Sequence, residues 1–290
     1  MELIDLLLAP LRFDLTRRAL LEVTLVSLAC GALGVLVVLR GLSFIGDALS
    51  HCVVPGVVIG YQTRGSLELW GAATAVLAAW AIAWLARRGR LGGDTAIAVV
   101  FSAMFALGLA LISATGSYTN DLTEILFGNV LAVSALDLWI SAATALAVLL
   151  ALAVLYRPLV LASFDPNAAR ALGLSLGLLD LILYLLIALA IVSGAVAVGA
   201  LLVTARLIVP AAAARLLART VAGQMVTSAV LGCAAGWIGL YLSYYVRIAS
   251  GGAVVLAAVA LFALALALAP RSGLLARWTA RRGAALKATT

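Results

Sequence analysis

Residues 41–61 read GLSFIGDALSHCVVPGVVIGY, an apolar run that nevertheless holds Asp47, the chain's single histidine His51, and the pair Pro55-Gly56. Residues four apart share one face of a helix, so Asp47 and His51 lie side by side, and Ser43 and, more loosely, Ser50 extend them into a polar stripe. An ionisable side chain inside a membrane span costs about 2.5–3.5 kcal/mol or more and faces an interior cavity or a partner. A carboxylate oxygen and an imidazole nitrogen at this spacing can reach one divalent cation, and Zn²⁺ and Mn²⁺ both accept that mixture. A purely structural reading also stands, in which the two groups hydrogen-bond each other or a neighbouring helix, since two ligands do not complete a metal shell. Cys52, one position on, points about 100° away and is left out. Pro55-Gly56 predicts an interruption that frees backbone groups toward a cavity.

The rest of the chain says what solvent surrounds this stretch. Hydrophobic residues make up 66% of it and charged residues 11%, with a mean hydropathy of +1.21. Soluble domains run at about 45–50% apolar and about 25% charged, so the composition is that of an integral membrane protein. Apolar runs of spanning length occur at 19–39, 43–61, 67–86, 95–113, 135–156, 177–193, 195–217, 222–245 and 251–269. The second is short and the sixth and seventh are divided only by Ser193-Gly194, which predicts an all-α, polytopic protein of eight or nine transmembrane helices. Residues 1–16 read as an N-terminal interfacial arm without the basic start of a secretory signal, 17–270 as one membrane domain, and 271–290 as a basic tail.

The formal net charge is +7. Its basic residues flank the apolar runs, at Arg17, Arg18, Arg40, Arg87, Arg88, Arg90, Arg157, Arg215, Arg219 and from Arg271 onward. Such residues set topology; no separate basic face exists, and nucleic acid is excluded as a partner. Cys30, Cys52 and Cys233 show no paired spacing, so neither a disulfide framework nor a thiolate metal site is expected. The arginines at 87–90, 157–170 and the tail predict cytoplasmic ends, whereas 114–134, with Asp121 and Glu124 and no basic residue, predicts the outside. Counting forward from there puts the C-terminus inside. Counting back through the four runs that precede it puts the N-terminus outside, against the vote of Arg12, Arg17 and Arg18.

Two further blocks stand out. FDPNAARALGLSLG, 164–177, lies on the arginine-marked side. Asp165 is placed to cap a short helix that Pro166 opens, Ala168, Ala169, Ala171 and Leu172 offer a small apolar face, and Gly173 can end it. It suits a docking knob for a soluble partner, or equally a plain connector. VAVGALLVTARLIVPAAAARLLA, 196–218, carries Pro210, a run of alanines that permits close packing, and Arg206 in mid-span. That guanidinium is expected to point away from the 47/51 stripe. Its candidate partners are Asp180, Asp137, helix-end carbonyls, or the interface reached by snorkelling.

LSFIGDALSHCVVPGVVIGY, FDPNAARALGL with VGALLVTARLIVPAAAARLL, and LFGNVLAVS at 126–134 together resemble the membrane permease subunit of the bacterial zinc/manganese/iron ABC importers, from about Arg17 to about Ala269. The resemblance implies a metal/cobalamin-type ABC importer permease fold in the bacterial plasma membrane. It also implies a homodimer of permeases, two cytoplasmic ABC ATPase subunits, and an extracytoplasmic metal-binding protein that delivers the ion. Asp47 and His51 match the family's metal-pathway pair. The segment 164–175, with Asp165, Ala168, Ala169, Arg170, Ala171, Leu172 and Gly173, matches its ATPase-docking region. Arg206, and Arg247 with Ala249 in SYYVRIASGG, depart from the family pattern.

The expected function is therefore transport of a divalent metal driven by a partner's ATP hydrolysis, with no permanently bound cofactor. The chain itself has no G-x-x-x-x-G-K-[ST] phosphate loop and is not expected to be an enzyme. Two copies meeting near a symmetry axis would supply Asp₂His₂, which suits Zn²⁺, while Mn²⁺ would take more oxygen, from Ser43, Ser50 or water. Zinc is marginally favoured. A permease for a metal chelate or cofactor is one rival, disfavoured by a bare Asp/His pair. A proton-coupled secondary transporter using the pair as a relay is another, disfavoured by the docking block.

Overall fold

The computed structural model describes residues 12–88, 92–115 and 133–269. Among them the chain is helical with no strand: α1 (Asp14–Leu39), α2 (Ile45–Cys52), α3 (Val54–Thr63), α4 (Leu67–Arg88), α5 (Gly93–Thr115), α6 (Ala135–Phe164), α7 (Pro166–Ala171), α8 (Leu176–Val198), α9 (Ala200–Leu217), α10 (Val221–Val246) and α11 (Ser250–Leu268). Most of the expected arm at 1–16, Arg90, the acidic pair Asp121 and Glu124, nearly all of LFGNVLAVS, and the tail 271–290 lie outside the described residues.

Seven of these helices, α1, α4, α5, α6, α8, α10 and α11, are long and apolar enough to cross a membrane. The other two apolar runs are the broken pair α2–α3 and the 18-residue α9, which carries Arg206. The interruption of the second run comes at Val53. Pro55 then sits in the first turn of α3, where its missing N–H removes no helix bond. Gly56 is pressed against the carbonyl of Trp70 and the hydroxyl of Thr74, so a side chain there would displace α4.

The division between the sixth and seventh runs lies elsewhere than at Ser193-Gly194. α8 continues through both residues and stops at Gly199, whose φ of 97° and ψ of 142° suit only glycine. Inside α8, Ser193 is used to meet Ser141 of α6, and Gly194 makes room for Val26 and Val203. The small residues there serve packing; the turn needs a positive φ.

In lipid, helices associate through close packing and polar contacts instead of the hydrophobic effect. α1 and α10 supply this most fully as an antiparallel pair. Gly31 abuts the backbone of Ala229, Ser27 meets Gly232, Val23 meets Gly236, and the indole N–H of Trp237 donates to Thr24 Oγ1 at 3.0 Å. On its other side α1 meets α9, where Gly34 lies directly on the carbonyl of Leu207. Helix ends are capped from within: Ser134 and Asp137 form a capping box on α6, and Asp165, Ser175 and Thr220 cap α7, α8 and α10.

One end of the bundle gathers the C-terminus of α1, the last turn of α6, α7 and the start of α8. Arg40, just past α1, bonds Ser163 and Asp180 there. Arg87, at the end of α4, packs on Gly177 at the same end. α1 thus starts at the end opposite α7, which agrees with the backward count and sets Arg12, Arg17 and Arg18 against it.

Gly34→Ala is expected to destabilise, because the new Cβ collides with main chain that cannot rotate away. Overpacking of this kind costs about 1–3 kcal/mol. Gly252→Ala, with nothing within 4 Å of its Cβ position, is expected to be silent. Thermal melts of the two detergent-solubilised variants check the contrast.

Candidate metal-binding site

α2 is an eight-residue helix in which every residue except Asp47 and His51 is buried. It is walled by α4, α5, α8 and α9. Gly46 permits the approach of α9, lying against Thr204 and Leu207, and Leu42 reaches Gly93 at the foot of α5. Sequence dictates this placement, since the remaining side chains of α2 are small or apolar and have no reason to face an opening. The two ionisable ones are left at its edge, with side-chain exposures of 33% for Asp47 and 22% for His51.

Nε2 of His51 stands 3.7 Å from Oδ1 of Asp47. That exceeds hydrogen-bond range, so the two groups do not satisfy each other by a neutral bond. It is close to the about 3.4 Å that separates two ligands of one tetrahedral ion with bonds of about 2.1 Å. The imidazole is held by aromatic edges, with ring centroids 5.7 Å from Phe101 and 5.6 Å from Phe105. Its Nδ1 is buried among them without a hydrogen-bond partner. The side chains thus have a fixed direction but no polar partner beyond one another.

The other proposed oxygen donors differ from the expected stripe. Ser43 is exposed but lies in the turn before α2, not on the helix. Ser50 is buried, and its hydroxyl donates to the carbonyl of Asp47 at 2.7 Å. Cys52 is fully buried on another face. Among the described residues no three His, Cys, Asp or Glu side chains converge on one point. One chain therefore offers two candidate ligands.

The 164–173 segment folds as its residues suggest, with one correction. Asp165 accepts from the backbone N–H groups of Asn167 and Ala168, both at 3.0 Å, and Gly173 takes a φ of 78° after α7. Ala169, expected on an exposed apolar face, is fully buried against the bundle. The outward surface consists instead of Phe164, Asn167, Arg170, Ala171 and Leu172, with Leu172 72% exposed; Ala168 is half-buried.

Arg206 points to the far side of α9 from the pair. It is 1% exposed, which removes snorkelling, and neither expected carboxylate is its partner. Asp180 belongs to Arg40 and Asp137 to the Ser134 capping box. Its guanidinium donates to the carbonyls of Val23 at 2.6 Å and Gly232 at 3.4 Å, in the space left by Gly236. Nearby, Glu22 is fully buried and accepts from Ser141. Sequence reading passed over Glu22, although its position as the one acid within the run 19–39 was the available signal.

Comparison with known proteins decides the family. The model of the ABC 3 transport family matches residues 12–269. The chain belongs to the ABC 3 transport family. Its relatives include the "Manganese transport system membrane protein MntC" of Halalkalibacterium halodurans, 40% identical over 97% of this chain and 96% of that protein. The "Probable iron transport system membrane protein" of Haemophilus influenzae is 38% identical over 91% and 97%. A solved structure, "PsaBC from Streptococcus pneumoniae in complex with Fab", superposes with a TM-score of 0.81 at 32% identity, covering 93% of this chain and 97% of that one. The ABC 3 membership accords with the resemblance seen in residues 41–61 and 164–218, and makes this chain a multi-pass permease of the plasma membrane.

Arg206→Leu is expected to lower stability, because it removes the bonds that tie α9 to the main chain of α1 and α10 through Val23 and Gly232; a hydrogen bond from a charged group is worth about 1.5–3 kcal/mol. The melting temperature of the variant measures it, and full stability would contradict the account.

Proposed function

We propose that this chain is the permease subunit of an ATP-driven importer in which Asp47 and His51 receive a divalent transition metal, Mn²⁺ in particular, midway through the membrane. The observation that carries the reading is a pair of ligand atoms 3.7 Å apart, both part-exposed, on a helix with every other residue buried. Phe101 and Phe105, which flank His51, lie about 12–18 Å along α5 at 1.5 Å per residue, near the middle of a core about 30 Å thick. A cation arriving there loses hydration and needs replacement donors. Two protomers meeting about a two-fold axis would offer two carboxylates and two imidazoles, with Ser43 and water as further oxygen.

Zinc, marginally favoured from the donor set alone, gives way to manganese. Relatives carry manganese and iron in their names, and an oxygen-supplemented site suits Mn²⁺. The energy comes from ABC ATPase subunits docked on α7 at the cytoplasmic end, and a metal-binding protein delivers the ion on the opposite side. A bulky chelate is disfavoured by a pair whose imidazole lies against two phenyl rings. A proton relay is disfavoured by the chain's membership in an ABC family.

Asp47→Ala and His51→Ala are each expected to abolish ATP-dependent uptake of radioactive manganese into proteoliposomes while the complex still assembles. Wild-type uptake by either variant would sink the site. Competition with excess Zn²⁺ and Fe²⁺ in the same assay reads the metal preference.

Leu172→Glu is expected to detach the ATPase, because it sets a charge on the exposed face of α7, whereas Ala169→Glu would unfold α7 itself. Co-purification of the ATPase with Leu172→Glu at wild-type yield would reassign α7 as a connector.

A further inference from the structure

The Arg40 guanidinium makes more contacts between elements than any other charge described above. Nε donates to Ser163 Oγ at 2.8 Å, Nη1 to Asp180 Oδ1, and Nη2 to the carbonyl of Leu159 at 3.3 Å. Its side chain is 10% exposed. Ser163 and Leu159 belong to the last two turns of α6, and Ser163 is two residues before Asp165, the cap of α7. Asp180 lies in the first turns of α8, just beyond the loop that follows α7. One side chain therefore clamps both roots of the α7 segment.

The other end of the same residue leads to the metal pair. Arg40 caps α1, and Gly41 follows in a left-handed conformation, φ 70°. The turn closes with Leu42 N–H donating to Val37 and Ile45 N–H to Leu42, which starts α2. Gly41 has nothing within 4 Å of its Cβ position, so its positive φ, and not packing, is what calls for glycine there. Asp47 sits on the first turn of α2. From the α7 roots to the metal pair the path runs through three hydrogen bonds and one tight turn.

We propose that Arg40 is a positioning residue that couples movement of the ATPase-docking segment to the orientation of α2, and hence to the closing and opening of the Asp47/His51 pair. The proposal rests on the function argued above, which assigns docking to α7 and transport to that pair. A bidentate or forked arginine holds geometry as well as charge, so a displacement of α6 and α8 at the α7 roots carries Arg40 with it. The alternative, a clamp that only stabilises the fold, predicts parallel losses in every activity.

The test uses the full complex of permease, ATPase and delivery protein in proteoliposomes, and reads manganese moved per ATP hydrolysed. Arg40→Gln and Asp180→Asn are expected to leave assembly and ATP hydrolysis near wild type while that ratio falls about 2- to 30-fold, the span of known coupling-network effects. Arg40→Lys, which keeps the charge but loses the fork, should recover part of it. Should Arg40→Gln fail to assemble, Ser163→Ala removes one bond of the three and is expected to lower the ratio more mildly. An unchanged ratio in Asp180→Asn and Ser163→Ala, or uptake and hydrolysis falling together with the amount of folded complex, would overturn the proposal. A wild-type complex without ATP-dependent manganese uptake would instead refute the function it rests on.

Discussion

In a hydrocarbon surrounding, a charge has to find compensation inside the protein, because lipid offers none. This constraint orders the bundle. Arg40 is answered by a carboxylate, a hydroxyl and a carbonyl from two helices. Arg206 is answered by two main-chain carbonyls, and buried Glu22 by Ser141. Asp47 and His51 have chiefly each other, at a distance too long for a hydrogen bond. A pair left incomplete in such a setting is stabilised by a cation placed between its ligand atoms, which is the physical basis of the transport reading.

Both kinds of site hang on α1. Its middle is locked to α9 and α10 through Gly31 and Gly34, which lie against the main chain of Ala229 and Leu207, and through Gly232 and Gly236, which make room for the side chains of Ser27, Val23 and Arg206. Its upper part carries Glu22 and the carbonyl that receives Arg206, and its end carries Arg40. The element next to Asp47 and His51 thus has a closely packed stem and leaves it through a left-handed turn at Gly41.

The short elements matter as much as the spans. α2 and α3 together cover one apolar run, and their division at Val53 leaves α2 as a separate short helix bearing Asp47 and His51. α7, only six residues long, is rooted by its own cap and by Ala169, and shows a surface built from Leu172, Arg170 and Phe164. The docking role proposed for α7 depends on which residues face out, and Ala169 faces the bundle. On a helix this short, spacing alone does not say which side the bundle occupies.

Composition and the lengths of the apolar runs determined that the chain is a helical membrane protein, since a bilayer admits few other ways of satisfying a backbone. The four-residue spacing of Asp47 and His51 determined their common face, because helix geometry is local. Local chemistry also determined the caps at Asp165 and Ser134 and the break near Pro55. Partners distant in sequence were decided by tertiary structure alone. Asp180 went to Arg40 and not to Arg206, Glu22 turned out to be the acid near Arg206, and the α8–α9 turn moved from Ser193-Gly194 to Gly199. Each of these depends on which helices lie adjacent and at what height, and no periodicity within one helix carries that information.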